Sequence, residues 1–248
     1  RAEAMAVAEA AREARRTKPS FAAELCLGTL RADLVVPFPE QAPDDRAAAA
    51  EFLGRLALAL REEIDPDLVD RSGVLPTKAV ARLHEVGAFR MKIAVEYGGL
   101  GLSQLNYNRA IALAGSWCTS AAILLSGHQS IGVPTPLKMF GTPEQKARYL
   151  PRLARGGISA FALTERGVGS DPARVESTAV PAPDGGGWIL RGEKLWCTNG
   201  PISDVLIVMA KTPDRAEGGG GKTQKRISAF IVETGWPGVS VANRCDFM

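Results

Sequence analysis

Between Phe161 and Asp171 the sequence reads FALTERGVGSD. A short apolar run gives way to Thr164 and Glu165, and Gly167 and Gly169 then lead to Ser170 and Asp171. Two hydroxyls, closely spaced backbone N–H groups and little side-chain bulk can cradle a phosphate or the polar edge of a heterocycle at short range. Further along, KLWCTNG (194–200) sets Trp196 two residues before Thr198. The spacing predicts a strand, on which alternate side chains share a face, so both would point the same way. An indole there can cover a planar ring while the hydroxyl bonds its edge, or it can simply fill a core. Glu165 is the one acid inside the glycine loop. It can be read as a base, but a carboxylate accepting backbone N–H groups at a turn is the better fit.

Other apparent sites do not hold. AEGGGGKT (216–223) has Ala where a phosphate loop needs its first Gly, and KRISAFIVET after it reads as a strand rather than a helix. A flexible hairpin loop is expected. GVGSD starts like a dinucleotide fingerprint, yet position 172 is Pro and no long helix follows. GHQS around His128 has no GxSxG partner and reads as an interhelical turn. The four cysteines (26, 118, 197, 245) are far apart with no CxxC. That argues against a disulfide framework or a zinc site, and for reduced thiols in a cytoplasmic, bacterial-type compartment. His84 and His128 are the only histidines and are expected to be packed or surface residues. A net charge of +3, with bases and acids interleaved, does not suggest nucleic-acid binding. No apolar run is long enough to span a bilayer, and no signal peptide is seen, since the Ala/Arg-rich start also carries Glu3, Glu9 and Glu13.

The elements that must position the loop fall into two classes. Residues 1–43 form an extension: a helix-like Ala/Glu/Arg stretch, then a segment in which Pro37, Pro39 and Pro43 end any helix. Residues 44–157 read as a helical domain. Asp44 and Asp45 suit a helix start, and Phe52, Leu56 and Leu60 share one face. A helix is expected after Pro76, through Ala79 and Leu83 to Gly87. Others cover about Gln104–Leu113 and Thr119–Ser126, and Thr142, Pro143 and Gln145 open one more. EYGGLGLS (96–103) is a glycine-dense loop. From 158 to 248, ISAFALT, WILRGEKLWCTN, DVLIVMAKT and ISAFIVET read as strands of an antiparallel β-domain. The fold class is therefore α+β with the two kinds of structure segregated.

EYGGLGLS, FGTPEQKARYLPRLARGG, FALTERGVGSD, GEKLWCTNGPISDVLIVMAKT and RCDFM occur in that order. Together they resemble the acyl-CoA dehydrogenase family of flavoproteins over roughly Pro76 to Met248. The resemblance implies a helical N-terminal domain, a middle β-domain and a C-terminal helical domain that this chain stops before. Both ends of the sequence look like cuts. The preface looks more like that of the extended, long-chain-type members.

The resemblance also implies FAD. By motif position, the backbone around Phe161, Leu163 and Thr164 lines the flavin, with the Thr164 hydroxyl near its pyrimidine edge. Gly169 and Ser170 belong to the same site. Ser170 is expected to touch both the FAD phosphates and the acyl-CoA thioester arm. Trp196 and Thr198 should lie along the flavin, with Thr198 near N5. The implied reaction is α,β-dehydrogenation of a fatty acyl-CoA to the trans-2-enoyl-CoA. An electron-transfer flavoprotein would be the acceptor and a homo-oligomer the assembly. The proton-abstracting Glu of the family belongs to the C-terminal domain, so no catalytic residue is assigned, and the fragment alone should bind FAD weakly and lack activity. An acyl-CoA oxidase, a flavin monooxygenase or a non-catalytic assembly protein on the same scaffold remain alternatives. The sequence departs from the family at Arg166, where Pro is usual, and at Val168, where a small residue is usual. Arg166 should loosen the turn slightly and could meet a phosphate.

Overall fold

The computed structural model describes residues 19–38, 40–216 and 223–245. The helix expected over the first sixteen residues, Pro39, residues 217–222 with the whole glycine run of the expected hairpin loop, and the final Asp246–Met248 lie outside them. The chain divides into two units, Arg1–Pro43 and Asp44–Met248. In the first, Ser20 caps a short helix, α1 (Phe21–Cys26), that the sequence pattern did not reveal. Six residues are too few to display a helical period. Arg31 forks onto both oxygens of Asp33 at 2.8 and 2.7 Å, on the surface.

The second unit opens with helices. After α2 (Pro43–Ala48), α3 (Ala50–Glu63) buries Phe52, Leu56 and Leu60. Burying such side chains contributes about 1.5–3 kcal/mol each, which outweighs weak propensity. Asp65 accepts from the N–H groups of Asp67 and Leu68 to start α4 (Pro66–Ser72), which ends at Gly73 in the left-handed region. α5 (Thr77–Glu85) turns Ala79 and Leu83 inward, as its spacing predicts. α6 (Gln104–Trp117) starts at Ser103, whose side chain accepts from Asn106 N, and α7 (Thr119–Ser126) follows with only Cys118 between. The GHQS turn is one π-helical turn, Gly127–Ile131. After α8 (Pro134–Phe140), the last helix, α9 (Pro143–Ala154), carries the full capping box between Thr142 and Gln145.

The glycine-dense loop after α5 serves packing. A side chain at Gly99 would put its Cβ 1.9 Å from the Ile93 carbonyl oxygen, so only Gly lets these backbones touch. One apolar cluster joins Phe52, Leu56, Leu60, Leu83, Phe89 and Leu125 among the helices. A second joins Ile93, Val133, Leu137, Tyr149 and Leu153 to Val205 and Ile207 of the sheet.

The sheet follows the helices, as the α+β reading expects. Its strands are β1 (Ser159–Ala162), β2 (Thr178–Pro181), β3 (Trp188–Arg191), β4 (Val205–Ala216) and β5 (Thr223–Glu233). β4 is central. β5 pairs along it antiparallel, with Val205 opposite Glu233, and β2–β3 form an antiparallel pair. The expectation of a wholly antiparallel domain needs one correction: β1 runs parallel to β4, Ser159 beside Val205, and β2 meets β4 in parallel at Lys211. The sheet is mixed because the chain leaves β1 through a long excursion that includes β2 and β3, and re-enters in the same direction. Among the described residues no helix is long and apolar enough to cross a membrane.

Candidate functional site

The loop after β1 is closed by a pair of reciprocal bonds. Glu165 N donates to Val168 O and Val168 N to Glu165 O, both at 3.0 Å. This small turn buries Glu165 and Val168 and leaves Arg166, Gly167, Gly169 and Ser170 exposed. Nothing lies within 4 Å of where a Cβ would stand at Gly167 or Gly169. Among the described residues, the hydroxyls of Thr164, Ser170 and Thr198 make no hydrogen bond, and the backbone N–H groups of Gly169 and Ser170 donate none. The turn therefore presents unused donors around open space, the requirement for seating a polar ligand at close range. Arg166 is exposed and likewise makes no hydrogen bond among the described residues.

The segment bearing Trp196 and Thr198 is not a strand. β3 ends at Arg191, and the chain then takes an irregular course with Trp196 at φ 51° and Asn199 at φ 64°. Strand alternation consequently says nothing about which way these two side chains point. The pattern misled because tethers to distant segments replace a ladder here. Leu195 N donates to Thr164 O at 2.8 Å, the Cys197 thiol to Phe161 O at 3.1 Å, and Asn199 Nδ2 to Leu124 O at 3.0 Å. Burial pushes the Cys197 thiol pKa up, so it stays a neutral donor. These bonds stitch the segment to β1, to the loop after it and to α7. Trp196 is 66% exposed, which removes core packing as its role in this chain and leaves a large apolar face open.

Behind Thr198 lies a groove of about 320 Å³ that the sequence did not announce, lined by Ile111, Ala122, Ile123, Ser126, Gly127 and Ile131. Gly127 makes room for it, since a Cβ there would stand 3.0 Å from Thr198 Cγ2. The groove is a product of three distant segments (α6, α7 with its π turn, and the 192–199 segment), which no local motif encodes.

Glu165 takes the structural role expected of it. Its carboxylate, 7% exposed, accepts from Glu176 N at 2.6 Å, Ser177 N at 3.0 Å, Ser177 Oγ at 2.6 Å and Lys194 Nζ at 2.7 Å. Burial opposes ionisation, but hydrogen bonds from Lys194, Ser177 and the two backbone N–H groups outweigh it and hold the carboxyl at about 2. A group so fully engaged is not free to take a substrate proton. Lys194 was missed. The other candidates sit as follows. Phe161 is on β1 opposite Ile207, and its carbonyl receives the Cys197 thiol. Leu163 gives its carbonyl to Lys194 Nζ at 3.1 Å. Thr164 is tied to Leu195, while Gly169 and Ser170 share the exposed end of the turn. The loop and the 192–199 segment are thus brought together by direct bonds.

His84 stacks on Phe89 with ring centroids 3.7 Å apart, and His128 is fully buried. Both histidines are packing residues. Among the described residues no cluster of three His, Cys, Asp or Glu side chains could hold a metal ion.

The model of the acyl-CoA dehydrogenase N-terminal domain matches residues 46–157, and that of the middle domain matches residues 160–246. A probable acyl-CoA dehydrogenase of Mycobacterium tuberculosis, FadE10, is 48% identical over 246 residues, covering 99% of this chain and 37% of that protein. The very long-chain specific mitochondrial acyl-CoA dehydrogenase of Mus musculus is 37% identical over 229 residues, covering 92% of this chain and 35% of its own. The chain thus spans little more than a third of the length of these curated relatives. The crystal structure of an acyl-CoA dehydrogenase complexed with FAD from Bacillus anthracis superposes with a TM-score of 0.63 at 31% identity, covering 82% of this chain and 33% of that one. With helices, mixed sheet, glycine turn and tethered Trp-Cys-Thr segment all falling where two consecutive domain models match, the chain belongs to the acyl-CoA dehydrogenase family.

Proposed function

We propose that this chain supplies the helical and β portions of an FAD-dependent acyl-CoA dehydrogenase acting on a fatty acyl-CoA thioester, with the trans-2-enoyl-CoA as product. The observation that carries the reading is the pairing of an open glycine turn, its hydroxyls unused, with an exposed indole on a segment bonded to the same strand. These features fit FAD: small unhindered donors suit its phosphates and pyrimidine edge, and a bare indole suits its ring. Bound FAD supplies a two-electron acceptor for the hydride that leaves the acyl β-carbon.

The residues of this chain would then bind and orient the cofactor and substrate. The Thr164 hydroxyl would bond the pyrimidine edge, and the backbone of Phe161 and Leu163 would line the ring. Gly169 and Ser170 would hold the phosphates, and Ser170 would also hold the thioester arm. Trp196 would offer its apolar face to the ring, and Thr198 would hold the ring near N5. The acyl chain would enter the groove beside Thr198, against the apolar side chains of Ile111, Ile123 and Ile131. The α-proton is weakly acidic, so the thioester oxygen must be hydrogen-bonded as charge develops. No residue of this chain is assigned as the base. The whole enzyme is proposed to pass its electrons to an electron-transfer flavoprotein and to act as a homo-oligomer.

The test uses the full-length protein. Its flavin absorbance is followed without oxygen while a long-chain acyl-CoA is added. Bleaching is the expected result. A retained flavin that stays oxidised would point to another substrate or a lost base, and purification without any flavin would overturn the cofactor assignment. Hydrogen peroxide formed on re-admission of air, with no transfer to an electron-transfer flavoprotein, would convert the reading to an oxidase.

A further inference from the structure

The Glu165–Lys194 ion pair joins the glycine turn to the start of the segment that carries Trp196 and Thr198. Glu165 itself belongs to the turn that carries Gly169 and Ser170. Lys194 Nζ donates to Glu165 Oε1 at 2.7 Å and to Leu163 O at 3.1 Å, so one ammonium spans the loop before and within the turn. The next residue, Leu195, bonds Thr164 O, and the one after is Trp196. On its other side the carboxylate takes Glu176 N and both donors of Ser177, the residues that lead into β2. Ser177 is in turn pressed against Gly192, where a Cβ would stand 2.1 Å from its Oγ. Both charges are nearly out of water, with side chains 7% and 11% exposed. In such surroundings a charged hydrogen bond is strong and directional, and the loss of one partner strands the other.

We propose that Glu165 and Lys194 are positioning residues. Their ion pair fixes the separation between the two halves of the FAD seat, Thr164–Ser170 on one side and Trp196–Thr198 on the other, without either side chain touching the cofactor. The inference rests on the FAD reading above. It differs from a general stability role in what it demands. Breaking the pair must alter how flavin is held, even in protein that remains folded. The Lys is specifically suited to the task because its three donors reach two segments at once, and an Arg can reproduce that bridging where a Met of similar length cannot.

The experiment compares full-length wild-type protein with Lys194→Met, Lys194→Arg and Ser177→Ala. FAD affinity is measured by fluorescence titration of the apoprotein, and the induced circular dichroism of flavin is recorded at saturating FAD. Unfolding of each apoprotein is recorded separately. Lys194→Met is expected to weaken FAD binding by about tenfold or more and to change the flavin dichroism, as loss of a charged hydrogen bond should. Lys194→Arg should recover most of both signals. Ser177→Ala keeps the ion pair and removes one donor, so it should weaken binding by only about threefold. If Lys194→Met does not fold, Lys194→Gln is the informative variant, because its amide removes the charge but keeps a hydrogen-bond donor. Wild-type affinity and dichroism in Lys194→Met, or in Lys194→Gln where only that variant folds, would overturn the proposal. Wild-type protein that binds no FAD would instead overturn the cofactor reading on which it rests.

Discussion

The Ser159 hydroxyl stands 2.9 Å from His128 Nδ1, where the π turn after α7 meets the first residue of β1. The backbone N–H of Ser159 also donates to Nδ1, at 3.0 Å, while Nε2 donates to Phe89 O at 2.8 Å. The ring is therefore neutral, with its proton on Nε2, and it ties the sheet to the helical core.

A pH dependence follows from this burial. Desolvation lowers the His128 pKa from 6.5 to about 4. The folded value lies below the unfolded one, so the unfolded chain takes the proton first. Stability is full above about pH 6.5 and falls as pH drops toward about 4, by roughly 3 kcal/mol across the window. His84, also lowered by burial, adds to the same trend. Urea unfolding between about pH 5 and 7, compared with His128→Gln, checks this. A wild-type slope no steeper than that of the variant would remove His128 from the account. The measurement stays above pH 5 because Glu165 and Glu233, held below their ordinary 4.5, lose their own contributions only at lower pH.

Glycines should divide into two kinds. Gly99→Ala drives a Cβ to 1.9 Å from the Ile93 carbonyl, and a loss of at least about 3 kcal/mol is expected, read as insoluble or markedly less stable protein. Gly169→Ala meets nothing, so its unfolding midpoint should match wild type. Under the proposed function it nevertheless weakens FAD binding. Equal affinity in wild type and Gly169→Ala would count against a phosphate contact at that position.

Trp196→Ala should separate binding from stability in the same way. The indole is mostly exposed, so its removal should change unfolding free energy by no more than about 0.5 kcal/mol. The flavin of the full-length variant should be held more weakly and its absorbance envelope altered. A large loss of stability would show that the ring packs in the protein rather than against a cofactor.

Glu233 gathers Arg148 at 2.8 Å, Arg152 at 2.6 Å and the Tyr149 hydroxyl at 3.2 Å, joining α9 to the end of β5. The arginines are substantially exposed, which limits the gain. Glu233→Gln is expected to cost about 1 kcal/mol in denaturant unfolding, and less at high salt. No measurable change would mean that the second apolar cluster alone holds α9 to the sheet.

Much of this architecture was legible because its signals are local. Thr142, Pro143 and Gln145 announce a helix start, and four-residue spacing in α3 announces its buried face. The Thr164–Ser170 turn was visible from its glycines. What escaped depends on segments far apart in sequence. Parallel pairing of β1 with β4 leaves no trace in either strand. The 192–199 segment looks like a strand by composition, yet its N–H groups and side chains are spent on Thr164, Phe161 and Leu124 instead of on a ladder. Lys194 could not be matched to Glu165, nor the groove found, until the chain was folded.

The parallel register also imposes an order of assembly. Ser159 pairs with Val205, so β1 cannot enter its sheet until everything between them has been made and released from the ribosome. The helices before it form from near neighbours and need not wait. During synthesis, then, the helical half should stand finished while β1 hangs from it as an unpaired edge, tied through Ser159 to His128 and Val133. That interval is when the nascent chain is most open to a chaperone or to a wrong strand partner.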